Sequence, residues 1–283
     1  MSVRVSRFPA ASRSLVSAKA TATAIVALVA TCAAGCVGST GSDLVEFRAY
    51  AAGPTDATGS SYSFVTSLGF EVTLTRARLV LGGLYLNRSM PISGGQARSC
   101  ILPGTYVGEV PGGTTIDVLD GRLQPFATPG HGTADRAVTG EVWLTAGDVD
   151  ALDDKGIPIL DVEGTASRGS VVVPFEGRVT IGRNRLVPPT DPARPGANPI
   201  CKQRIVSPIP IDLVPVDGGA LVVRIDPRGF FTNVAFDDLE LVSDAPKLYR
   251  FKDDATTSSG NELFRGLRAS EGVYSFSFER NAP

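Results

Sequence analysis

Along most of this chain, apolar and polar residues alternate with a period of two, or apolar β-branched residues run together, between Gly, Pro and Asp punctuation. This is how strands with one buried face read in a sequence. Ten segments carry the pattern: residues 44–50, 69–86, 105–110, 114–119, 137–145, 158–166, 170–181, 203–214, 219–226 and 273–279. Only two stretches read as helical, NELFRGLRA at 261–269 and PKLYRF at 246–251. The expected fold is therefore mainly β: an antiparallel β-sandwich, or a partly open barrel, with long loops and at most one or two short helices. Residues 69–86 are too long for one flat strand, and Gly82-Gly83 predicts a bulge or a bend at a corner. Between 186 and 201 the Pro-rich VPPTDPARPGANPI has no period, as expected of a surface loop or of a sub-boundary within the domain.

The N-terminal pattern is different. Arg4, Arg7, Arg13 and Lys19, with no Asp or Glu among them, precede an apolar run over residues 20–34. A positive region followed by such a run is the layout of a secretory signal. The run spans about 15 residues, against the ~20 a membrane-crossing helix needs. It ends on Ala33-Ala34-Gly35-Cys36, and here the segment resembles the lipobox of bacterial lipoprotein precursors, with Ala at position 33 where a larger aliphatic residue is usual. The resemblance implies cleavage between Gly35 and Cys36, after the Cys36 thiol has received lipid. Two or three acyl chains at ~0.8 kcal/mol per buried methylene would hold the protein on the membrane without embedding it. Ala33 and Gly35 also suit a general signal peptidase, which leaves plain secretion open. The organisation expected is a signal peptide over 1–35, a flexible tether over 36–42 and one β-sandwich-type domain over 43–283. Val37, in place of the Asp that in some envelopes retains lipoproteins in the inner membrane, leans the resemblance toward the outer membrane.

From Cys36 onward there are 29 acidic residues and 23 basic ones, the chain's 27 less the four in the signal region, and no cluster of Lys and Arg. Nucleic acid is not an expected partner. With Cys32 removed and Cys36 acylated, Cys100 and Cys201 are left, and in an oxidising compartment a residual pair reads as a disulfide. The one histidine, His131, lies in TPGHGTADR between two glycines and reads as loop; no G-x-S-x-G supplies a nucleophile for it. Several-histidine metal sites are excluded, and no phosphate-cradling motif calls for a cofactor. Trp143 sits in an alternating segment and reads as a core aromatic.

Asp148, Asp150, Asp153 and Asp154 in GDVDALDDKG could offer calcium several oxygens, but not with EF-hand spacing, and Asp-rich turns between strands are common. Asp237, Asp238 and Glu240 read as a solvated strand edge. Two functions remain. The favoured one is a non-catalytic, lipid-anchored envelope module for structure, adhesion or ligand capture, its partner an envelope protein or a glycan. The competitor is an envelope enzyme using carboxylates alone, such as a glycoside hydrolase. A cleft with two acidic groups beside exposed aromatics would speak for the enzyme.

Overall fold

The computed structural model describes residues 42–90, 104–149, 151, 156–185 and 200–280. The signal peptide, most of the tether, Cys36, Cys100, Asp150, Asp153, Asp154 and the Pro-rich stretch up to position 199 lie outside the described residues. In chain order the strands are β1 (Leu44–Ala52), β2 (Tyr62–Val65), β3 (Glu71–Leu81), β4 (Gly83–Asn87), β5 (Tyr106–Val110), β6 (Thr114–Asp117), β7 (Gln124–Pro125) and β8 (Gly130–Thr133). Then follow β9 (Ala137–Trp143), β10 (Leu160–Arg168), β11 (Val171–Val179), β12 (Ile205–Leu213), β13 (Ala220–Ile225), β14 (Glu240–Asp244), β15 (Lys247–Arg250) and β16 (Tyr274–Glu279). Two helices are described, α1 (Ile200–Arg204) and α2 (Ser258–Leu267).

The strands form two sheets. The first has the order β12-β9-β4-β5-β8-β1-β13-β16, with β7 also on β1; the second runs β14-β15-β11-β10-β3-β2, with β6 also on β3. The terminal strands β12 and β16 of the first sheet pack against each other without pairing, so that this sheet comes close to closing as a barrel. The fold is mainly β, as the alternation predicts. Pairing is not wholly antiparallel, however: β1 runs parallel to β13, and β11 parallel to β15. Periodicity reports which face is buried and carries no information on strand direction.

Residue by residue, the alternation does its work. In β1, Val45, Phe47 and Ala49 are buried while Leu44, Glu46 and Arg48 are exposed. In β3, Val72, Leu74, Ala77, Leu79 and Leu81 point inward. These join one apolar cluster drawn from both sheets, each large side chain contributing about 1.5–3 kcal/mol by leaving water. Phe70, Phe175, Phe231, Phe236 and Phe251 form its aromatic part, with Phe175 5.0 Å from Phe236 and 5.7 Å from Phe251 between ring centres. Leu263, Phe264 and Leu267 cover that part from one face of α2.

The predicted bend is a change of sheet: β3 belongs to the second sheet and β4 to the first, with Gly82 alone between them. A Cβ at Gly82 would stand 2.4 Å from the Thr145 methyl and 2.6 Å from its carbonyl oxygen. Only glycine lets the chain turn there, while its N–H still donates to the Trp143 carbonyl at 2.7 Å. One expected helix is a strand. Residues 247–250 of PKLYRF form β15, because Tyr249 pairs with Phe175 of β11 and with Leu241 of β14. A helix so short has few internal bonds to set against that pairing.

Candidate functional site

Register places a row of chemically active side chains across five neighbouring strands. Glu46 of β1 faces His131 of β8, His131 faces Glu109 of β5, Glu109 faces Tyr85 of β4, and Tyr85 faces Glu141 of β9. Directly opposed residues project to the same face of a sheet. This is the face opposite to that of Leu84, Leu86 and Val142, which enter the core. Beside the row, Tyr85 lies 4.5 Å from Trp143 and 5.6 Å from Tyr106 between ring centres.

Glu141 is fully buried, although it stands on the non-core face. Asn87 Nδ2 donates to its Oε1 at 2.7 Å, and Tyr106 Oη lies 3.5 Å from its Oε2. The Trp143 indole N–H also faces this carboxyl and acts to lower its pKa, yet has no partner within hydrogen-bonding geometry. Burial outweighs these three groups and pushes the Glu141 carboxyl up to about 7. Burial and the charge of Glu141 push the Tyr106 phenol up to about 12. Tyr85 is raised by burial and by the flanking carboxylates of Glu109 and Glu141.

Next to this cluster, Leu44, Glu46, Tyr106, Val107, Glu109, His131 and Asp217 line a depression of about 610 Å3 that has no Lys or Arg in its wall. Asp217 is held in place by the Glu46 N–H, which donates to its Oδ1 at 3.0 Å. His131 Nδ1 is 3.7 Å from Glu46 Oε2.

His131 is thus on a strand and not in a loop, and the glycines around it are the reason. A Cβ at Gly130 would fall 2.2 Å from the Phe47 ring, and one at Gly132 2.2 Å from the Val107 carbonyl oxygen. Glycine at both positions lets β8 fit between β1 and β5, which leaves His131 exposed on the open face. Trp143 is likewise not a core aromatic; it is half-buried, on the face with Glu141. Glu240 heads β14, an exposed edge strand, whereas Asp237 pairs with Arg168 at 2.6 Å. Cys201 is fully buried in α1, while its expected partner Cys100 lies outside the described residues.

The sequence reading overlooked Glu141, Asn87, Tyr85, Tyr106, Glu109 and Glu46. Alternation in AVTGEVWLT does set Glu141 and Trp143 on one face, but the partners come from other strands.

At the acidic loop, Asp148 is exposed, and its carbonyl accepts from Arg204 Nη1 at 3.0 Å. Among the described residues no three His, Cys, Asp or Glu side chains gather as a metal site. If this Asp-rich loop is a plain turn, millimolar calcium should leave the melting temperature unchanged. A rise of several degrees that disappears in Asp150→Asn would refute the turn reading of this loop.

No family model, curated protein or solved structure matches this chain.

Proposed function

We propose that this protein is a lipid-anchored, non-catalytic lipoprotein of the cell envelope, most consistent with the outer membrane, whose β module captures a ligand on the open face of its first sheet. The depression that Glu46, Glu109 and Asp217 line without any Lys or Arg carries the capture reading. Three carboxylates beside the Tyr106 ring and the apolar Leu44 and Val107 suit a basic segment of an envelope protein better than an uncharged glycan. A photoreactive residue at Leu44, which is 85% exposed, should crosslink such a protein in intact envelopes. The crosslink should fade in Glu109→Lys and should not form from Leu241, on the other sheet. Label recovered on glycan, or equal label from both positions, would refute the reading.

The membrane is reached through Cys36, on the strength of the positive region, the apolar run and AAGC. Cys36→Ser should abolish incorporation of a labelled fatty acid and leave a larger precursor. Equal label in both forms would remove the anchor. The same compartment supports a Cys100–Cys201 bridge, so unfolded, unreduced mature protein should yield no free thiol to alkylation.

One observation favours a carboxylate enzyme: Glu109 and Glu141 flank Tyr85, about two strand spacings or ~10 Å apart, as the two acids of an inverting glycosidase stand. Against it, Glu141 presents no surface to a substrate. Hydrolysis of chromogenic glycosides by the wild type, lost in both Glu109→Gln and Glu141→Gln, would promote this second reading.

A further inference from the structure

We infer that Glu141 forms a pH-operated latch with Tyr106, whose ring lines the depression: loss of the Glu141 proton reverses the hydrogen bond between them, tightens it, and draws the Tyr106 ring toward β9. The effect on the depression rests on the capture reading; the latch itself does not.

Hydrogen-bond chemistry fixes the direction. Glu141 Oε1 already accepts from Asn87 Nδ2, so in the neutral acid the proton belongs on Oε2 and points at Tyr106 Oη. At 3.5 Å that contact is at the limit of a hydrogen bond. The anion has no proton to give, and Tyr106 must then donate. An O–H donor to a carboxylate settles at ~2.5–2.7 Å, so the two oxygens should approach by roughly 1 Å.

Glu141 is the fixed partner of the two. It is fully buried within the sheet, tied to Asn87, with Thr139 and Trp143 beside it on β9. Tyr106 is the more exposed of the two: it is 36% exposed, begins β5 beside a register shift between Leu86 and Asn87, and shares the Asn87 side chain with Glu141. β4 brings Tyr85 and Asn87, and β5 brings Tyr106 and Glu109. Beyond β9, the irregular pairing of β12 sets Ser207 and Pro208 opposite Glu141, neither of which titrates. Among the described residues no Lys or Arg pairs with Glu141. Burial pushes its carboxyl up to about 7, which puts the change within an ordinary environmental range.

Trp143, the only tryptophan of the chain, stands beside Glu141 and reports on it directly. Its fluorescence in folded, ligand-free protein should titrate once between pH 5 and 9, with a midpoint near 7. Glu141→Gln should abolish the titration. Tyr106→Phe removes a donor that favours the anion and should raise the midpoint by about half a pH unit or more. His131→Gln should leave it unmoved.

Persistence of the titration in Glu141→Gln, its loss in His131→Gln, or an unmoved midpoint in Tyr106→Phe would overturn the latch. If Glu141→Gln does not fold, the other two variants decide. Crosslinking from Leu44 at pH 5 and pH 8 separates the two readings. A crosslink of equal yield at both, with the titration intact, overturns the coupling to the depression. No crosslink at either pH overturns capture, and fluorescence alone then decides the latch.

Discussion

Replacing Glu141 with glutamine should make the protein more stable at pH 8 and leave it nearly unchanged at pH 4.5. The carboxyl is raised from 4.5 to about 7 in the folded state, so the native protein binds this proton more tightly than the unfolded chain does. Stability from such a group is fully present below about 4.5 and is lost as pH rises through about 7. At ~1.4 kcal/mol per pH unit, the loss approaches about 3 kcal/mol by pH 8. Glutamine keeps the acceptor for Asn87 and a polar group for Tyr106 without a charge to bury, so its stability should stay flat over the same window. Asp254 works in the opposite direction: Thr256 hydrogen bonds hold it down to about 2, so its effect falls at more acidic pH. Urea unfolding of both proteins at pH 4.5, 6 and 8 is the measurement. Parallel curves for the two would show that Glu141 is hydrated in the native state.

Arg204→Met should cost about 3–4 kcal/mol, far more than the loss of any surface ion pair. Arg204 is among the largest fully buried side chains. Its guanidinium donates to the Ile181 carbonyl from Nε at 3.0 Å and Nη2 at 2.6 Å, and to the Asp148 and Val149 carbonyls from Nη1. One planar fork thus joins α1 to the end of β11 and to the loop after β9. Methionine fills much of the volume but leaves the Ile181 carbonyl unpaired in the core, and hydrogen bonds from a charged donor contribute about 1.5–3 kcal/mol each. Lysine would not restore them, since a single ammonium cannot span three carbonyls in one plane. Arg136, exposed and paired with Asp212 at 2.7 Å, provides the contrast; its alanine variant should be close to wild type in stability, because water and salt screen the pair. Equal losses for Arg204→Met and Arg136→Ala would show that the clamp adds nothing.

What could be read from the sequence was whatever depends on neighbours along the chain. β1, β3 and β9 to β13 announce themselves because alternation or a β-branched run is a local property, and Gly82-Gly83 interrupts it where the chain changes sheet. β8 and β15 gave no such signal. Gly-His-Gly-Thr lacks strand formers, and Lys-Leu-Tyr-Arg suits a helix as well; each becomes a strand through pairing partners distant in sequence. The candidate site was hidden for the same reason. Its residues are rungs of five strands, and nothing near Glu141 in AVTGEVWLT indicates that Asn87 and Tyr106 will close over it. A glutamate in an alternating strand looks solvated until the aromatic rings of adjacent strands are placed.

The position of β1 has a mechanical consequence. Load applied to the chain ahead of Ser42 enters the fold at Leu44, and β1 is an interior strand. It is bonded to β8 and β7 on one side and to β13 along Arg48–Ala52 on the other. Pulling on its N-terminus must shear both ladders together, where an edge strand would unzip one bond at a time. Force applied ahead of β1 is thus distributed over the centre of the first sheet, and the fold can be pulled from that end without peeling open.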